Sequence, residues 1–212
     1  MNSPGEGVPS VFRTVVETLD AARPRSEVRL TPIPPPRRLA PFAHALEASV
    51  LAAPDAGAVA EEEPEELADG RFVLLHDPDG QDGWFGTLRV VTLARAAMEP
   101  ELGTDPLLPE VTWSWLAEAL DGAQGPGWAE PSGTVTLAVS RSFGGLAERP
   151  PSTELELRAS WSPIDEAAVA GHLLGWCGML AQCAGLPPEP VAPGVAALPR
   201  RRTPRRGDPR AH

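Results

Sequence analysis

Thr134-Val135-Thr136-Leu137-Ala138-Val139-Ser140 and Glu154-Leu155-Glu156-Leu157-Arg158-Ala159-Ser160-Trp161 are the stretches that decide the fold. In the first, Val135, Leu137 and Val139 share one side and Thr134, Thr136 and Ser140 the other. In the second, Leu155, Leu157, Ala159 and Trp161 oppose Glu154, Glu156, Arg158 and Ser160. Strict alternation means strands with one buried and one wet face, the signature of an antiparallel sheet. A sheet with one apolar face must bury it against something, and amphipathic helices are the available cover.

Working outward from this pair, the other elements fall into place. A helix is predicted over residues 10–22, capped by Ser10, with Phe12, Val15, Val16 and Leu19 on its apolar face and Pro24 after it. Residues 27–31 alternate as a short strand, and Pro34-Pro35-Pro36 forces an extended turn. Residues 39–51 are open to two readings, a strand from the alternation of Leu46, Ala48 and Val50 or an Ala-rich helix; a strand over 42–52 is taken because the later strands need a partner. Residues 54–69 contain Glu61-Glu62-Glu63-Pro64-Glu65-Glu66 and read as a solvated acidic loop. Phe72 to His76 makes the next strand. Asp77-Pro78-Asp79-Gly80 is a type I turn, and a return strand is predicted over 84–96. Pro109 and Gly122 bracket a second helix, and residues 125–132 read as a loop. The last helix is assigned Ser162 as its cap and Pro163 as its first residue. Val169, Leu173, Trp176 and Leu180 form its apolar stripe, and Gly185-Leu186-Pro187 its stop.

The expected fold is therefore α+β: an antiparallel sheet of five or six strands covered on one face by about three helices, in the order α-β-β-β-β-α-β-β-α. One domain is expected over residues 10–186. Residues 1–9 and the Pro/Arg-rich tail 187–212 are expected to be disordered.

Composition removes several chemistries. All 18 basic residues are Arg, and Tyr is absent. Without Lys there is no P-loop lysine, Schiff base or Ser-x-x-Lys nucleophile. The net charge is −11. The tail carries six Arg against Glu189 and Asp208, about +4, which leaves about −15 for the rest. Such a body repels phosphate backbones, so nucleic acid is expected at most through Arg200, Arg201, Arg202, Arg205 and Arg206. No signal peptide or membrane span is read, and a cytoplasmic location is expected. Cys177 and Cys183 sit in one predicted helix, too far apart to bridge.

Several residues invite a functional reading. His76-Asp77-Pro78-Asp79-Gly80-Gln81-Asp82-Gly83 gathers a His and three carboxylates, but an EF-hand count from Asp77 puts Asp82 and Leu88 where Gly and Glu belong. His44, His76 and His172 lack metal-ligand spacing. No metal, cofactor or catalytic residue is therefore assigned. An enzyme would need a site hidden from sequence near His76, His172 and Ser140. Trp113 and Trp115, two apart on a helix, point about 200° from one another and cannot both be buried by one sheet. With Trp84 they are the candidate partner-binding residues. The leading expectation is a non-catalytic protein-interaction module, with a homodimer among the arrangements.

Arg38-Leu39-Ala40-Pro41-Phe42, Val73-Leu74-Leu75-His76-Asp77-Pro78-Asp79-Gly80 and Thr104-Asp105-Pro106-Leu107-Leu108-Pro109-Glu110-Val111-Thr112-Trp113-Ser114-Trp115-Leu116 resemble the actinobacterial family called domain of unknown function 3000. Arg158-Ala159-Ser160-Trp161 and Gly185-Leu186-Pro187-Pro188 extend the likeness over nearly the whole folded part. The resemblance implies a bacterial cytoplasmic protein and brings no activity or catalytic residue with it. The element order, with one extra strand, is also similar to type III secretion chaperones, which bind protein partners as dimers. That is a likeness of fold alone.

Overall fold

The computed structural model describes residues 7–52, 64–99, 101–122 and 127–188. Six strands, β1 (Val28–Ile33), β2 (Phe42–Leu51), β3 (Glu66–His76), β4 (Leu88–Met98), β5 (Trp128–Ser140) and β6 (Ser152–Pro163), form one antiparallel sheet in the order β1-β2-β3-β4-β6-β5. Three helices, α1 (Ser10–Ala21), α2 (Leu108–Asp121) and α3 (Val169–Cys183), roof one face. The expected α+β architecture and element order are those observed.

The alternating residues face as the pattern dictates. Leu46, Ala48 and Val50 of β2, Phe72 and Leu74 of β3, Val90 and Ala94 of β4, and Leu155, Leu157 and Trp161 of β6 meet the helices in one core. At its centre lies α3, with Leu173, Trp176 and Leu180 fully buried. Burying each such side chain is worth about 1.5–3 kcal/mol. Trp176 reaches the sheet where Gly70 leaves room for it, and Phe72 meets Trp161 edge-on and Trp176 at a tilt. Phe12 of α1 lies on His76 and Phe42.

Several boundaries differ from the sequence reading, each for a local reason. Pro9 rather than Ser10 holds the N-cap position of α1, and no side chain caps it. β3 begins at Glu66, so the acidic segment is shorter than 54–69. Glu61, Glu62 and Glu63 lie outside the described residues. β4 starts at Leu88 instead of Trp84, because the connection makes further bends at Gly83 and Gly86, both with φ near +80°. β5 starts at Trp128, inside the expected loop, and reaches Ser132 through a bulge. β6 runs on through Ser162 and Pro163, so neither starts the last helix. Asp165 does the capping, accepting from the Ala167 N–H at 2.9 Å, and a 3-10 turn leads into α3. The stop at Gly185 is a Schellman motif. Leu186 N–H donates to Ala181 and Gly185 N–H to Gln182, with φ +77° at Gly185. Residues 1–6 and the tail from Glu189 onward lie outside the described residues.

Among the described residues the other face of the sheet has no helical cover, yet one end of it is closed. Gln81 donates to the Leu39 carbonyl at 3.2 Å, tying the β3–β4 connection to the β1–β2 connection. Phe85 N–H donates to Ser162 Oγ at 3.0 Å, which carries the β3–β4 connection across β4 onto β6. Ala45, Leu75 and Arg89 point to this face and are nonetheless buried.

Candidate functional site

The two edges of the sheet are built very differently. β1 has six residues and includes Arg29 and Pro32, and a proline cannot donate to an added strand. β5 has thirteen residues, and from Ser132 to Ser140 it carries no charge and no proline. Among the described residues only β6 pairs with it, so alternate N–H and C=O groups along its outer side have no strand partner there. Natural edges are usually blunted by charge, proline or brevity; this one is not.

Apolar side chains cluster beside that edge. Val139 is 47% exposed, and Gly103 packs against it. The segment leading to α2 carries exposed Leu102 and Leu107, the first turn of α2 exposed Val111, and the β5–β6 connection exposed Phe143 and Leu146. α2 flanks β5 on the helical side. Its Trp113 ring lies over Gly133, where a Cβ would come within 2.5 Å of it, and Asp121 accepts from Trp128 Nε1 at 2.8 Å.

Trp113 and Trp115 are both half-buried against the core. The 200° problem is solved by position: α2 sits between α3 and the β5 edge, so opposite sides of the helix each find partial cover. Trp84, also half-buried, belongs to the connection that bends over the open face, so it is not brought together with the other two.

The histidines are absorbed by packing. His76 Nδ1–H donates to the Thr87 carbonyl at 3.1 Å and its ring stacks on Phe12. His44 Nε2 lies 3.0 Å from Asp20 Oδ1, though at a poor angle for a hydrogen bond. His172 is 3% exposed and accepts from Trp161 Nε1 through Nδ1 at 3.2 Å. Burial pushes its pKa from 6.5 down to about 4. Ser140 stands at the opposite end of the sheet from His76, so the structure does not join them. Asp77 closes the turn: its carbonyl accepts from Gly80 N–H, and its carboxylate from Asp79 N–H and Gln81. Among the described residues, no three His, Cys, Asp or Glu gather as a metal cluster. Both cysteines are buried, and burial pushes each thiol to about 12. Arg200 to Arg206 lie outside the described residues. No described helix is long and apolar enough to cross a membrane.

Sequence reasoning missed the open face. There Arg71, Arg158, Ser132, Ser160 and Thr134 surround a groove of about 580 Å³, floored by Val73, Val91 and Leu93. The available signal was Arg89, a lone cation in the apolar run Leu88-Arg89-Val90-Val91.

The fold and its edge define an α+β protein with a half-roofed antiparallel sheet and one unprotected outer strand. The chain belongs to the family described as protein of unknown function (DUF3000), whose model matches residues 8–194. No curated protein and no solved structure matches it.

Proposed function

We propose that the protein is a non-catalytic interaction module that forms a homodimer by strand addition at β5. The observation that carries this reading is the uncharged, proline-free edge from Ser132 to Ser140 in a chain of net charge −11. Two such acidic bodies repel one another over most of their surface, and a neutral strip lowers that cost.

The strip is also self-complementary. An antiparallel pair centred on Thr136 sets Val135 of one copy against Leu137 of the other, and Gly133 against Val139. Thr134 then meets Ala138 on the opposite face. Residue-centred pairing keeps each side chain on its own face, so apolar meets apolar beside α2. Leu107, Val111 and the exposed parts of Trp113 and Trp115 would extend the contact from the helix side. The resemblance to an actinobacterial family is the support for a bacterial, cytoplasmic setting of this module.

The test is a charge swap at Thr136, an exposed residue. In sedimentation velocity the wild type should run as a dimer at micromolar concentration. Thr136→Asp and Thr136→Lys should each run as monomers, and their equimolar mixture as a dimer. A monomeric wild type, or two variants that stay dimeric alone, overturns the proposal.

A further inference from the structure

Arg89 of β4 is 8% exposed, and its guanidinium makes no ion pair among the described residues. Nη1 donates to the Glu130 carbonyl at 2.8 Å and to Ser162 Oγ at 3.3 Å. Nη2 donates to Ser160 Oγ at 2.8 Å and to Ser132 Oγ at 3.4 Å. All four acceptors are neutral. Desolvation lowers the pKa of Arg89, and the attraction that opposes it comes from the exposed Glu130 carboxylate. A buried cation without a counter-charge costs several kcal/mol.

The backbone around it is also strained. Glu130 has φ +50°, uncommon for a residue with a side chain, and its carbonyl is the one Arg89 grips. The bulge that requires this conformation brings Ser132 to Ser160, 3.0 Å apart between hydroxyls.

Ser132 and Ser160 face two ways. They hold Arg89, and they line the groove floored by Val73, Val91 and Leu93. Arg71 and Arg158 stand on its walls. Their carboxylate partners, Glu47 at 3.6 Å and Glu156 at 2.8 Å, are not among the lining residues. The groove thus joins an apolar floor to a cationic, hydroxyl-bearing wall, and its volume falls in the range of small-molecule sites.

We propose that this groove binds a small organic carboxylate bearing a short aliphatic chain. The carboxylate brings counter-charge next to the serines that hold Arg89, accepting from whichever of the Ser132 and Ser160 hydroxyls does not donate to the other and from Arg158. The chain lies along Val73, Val91 and Leu93. A planar monoanion suits the guanidinium of Arg158 on the groove wall, and the apolar floor gives a bare phosphate nothing to bury.

The experiment is a titration of the full-length ¹⁵N-labelled chain with octanoate, octanamide and inorganic phosphate. Octanoate should shift the amides of Val91, Ser132 and Ser160 with a saturating curve. Octanamide and phosphate should bind at least tenfold more weakly. Arg71 and Arg158 side chains are 60% and 65% exposed, so the double variant R71A/R158A should fold and lose at least tenfold in octanoate affinity. Arg89→Met, with its fold checked by circular dichroism, should lose it further. Equal binding of octanoate and octanamide, shifts confined to other surfaces, or an unaltered R71A/R158A would overturn the proposal.

Discussion

Acid should weaken this fold through His172 before its carboxylates matter. Two observations agree on the neutral imidazole. Trp161 Nε1 donates to Nδ1, which must therefore carry no proton, and burial pushes the pKa from 6.5 to about 4. A group held below its unfolded value contributes full stability above pH 6.5 and loses it as pH falls toward 4, because the unfolded chain takes the proton first. The whole gap between 6.5 and about 4 is worth about 3 kcal/mol. By pH 5 the unfolded imidazole is almost fully protonated and the native one is not, so about 2 kcal/mol has gone. His172→Gln removes the titration while leaving an oxygen able to accept from Trp161. Urea unfolding at pH 8, 7, 6 and 5 should show the wild type losing about 2 kcal/mol more than the variant across that range. The variant starts less stable, but only the difference in slope is diagnostic. Parallel dependences in the two proteins would refute the buried, neutral assignment.

Two further outcomes test the packing. Gly70→Ala places a Cβ 2.6 Å from the Leu93 carbonyl oxygen and 2.7 Å from the Trp176 ring, and should cost about 1–3 kcal/mol, read as a lower urea midpoint with an unaltered m-value. Cys177 and Cys183 should resist a thiol reagent in the native protein at pH 8, and both should react once urea unfolds it.

Legibility in the sequence followed exposure contrast. The body of β6 is legible because Glu154, Glu156 and Arg158 face outward while Leu155, Leu157 and Trp161 are buried, although the strand runs two residues further at each end. β2 is less legible: Leu46, Ala48 and Val50 alternate, but its Ala-rich sequence also allows a helix, and the need of the later strands for a partner decides it. The start of β4 was misread because Trp84 and Phe85 look like strand residues, yet Gly83 and Gly86 take a left-handed conformation that pulls them out of line. Ser162 looked like a helix cap because Ser-Pro often is one. Here its hydroxyl is taken by Phe85 and Arg89, contacts from 77 and 73 residues away. The β5 edge escaped notice for a different reason. Val135, Leu137 and Val139 announce a strand, but no local pattern says that it lies outermost. That depends on β6 pairing with β4 across the chain. The groove was hidden likewise, since Arg71, Arg158 and Ser132 come from three strands distant in sequence.

The placement of α3 has a consequence for synthesis. The helix that fills the middle of the interior follows all six strands, so a growing chain on the ribosome holds every strand of the sheet before it owns the piece that covers Phe72 and Trp161. Until Leu180 has cleared the exit tunnel, the middle of the sheet's apolar side lacks its cover, although α1 and α2 are already made. Birth, rather than heat or acid, is then the stage at which this protein is most exposed to clumping and most in need of a holding chaperone.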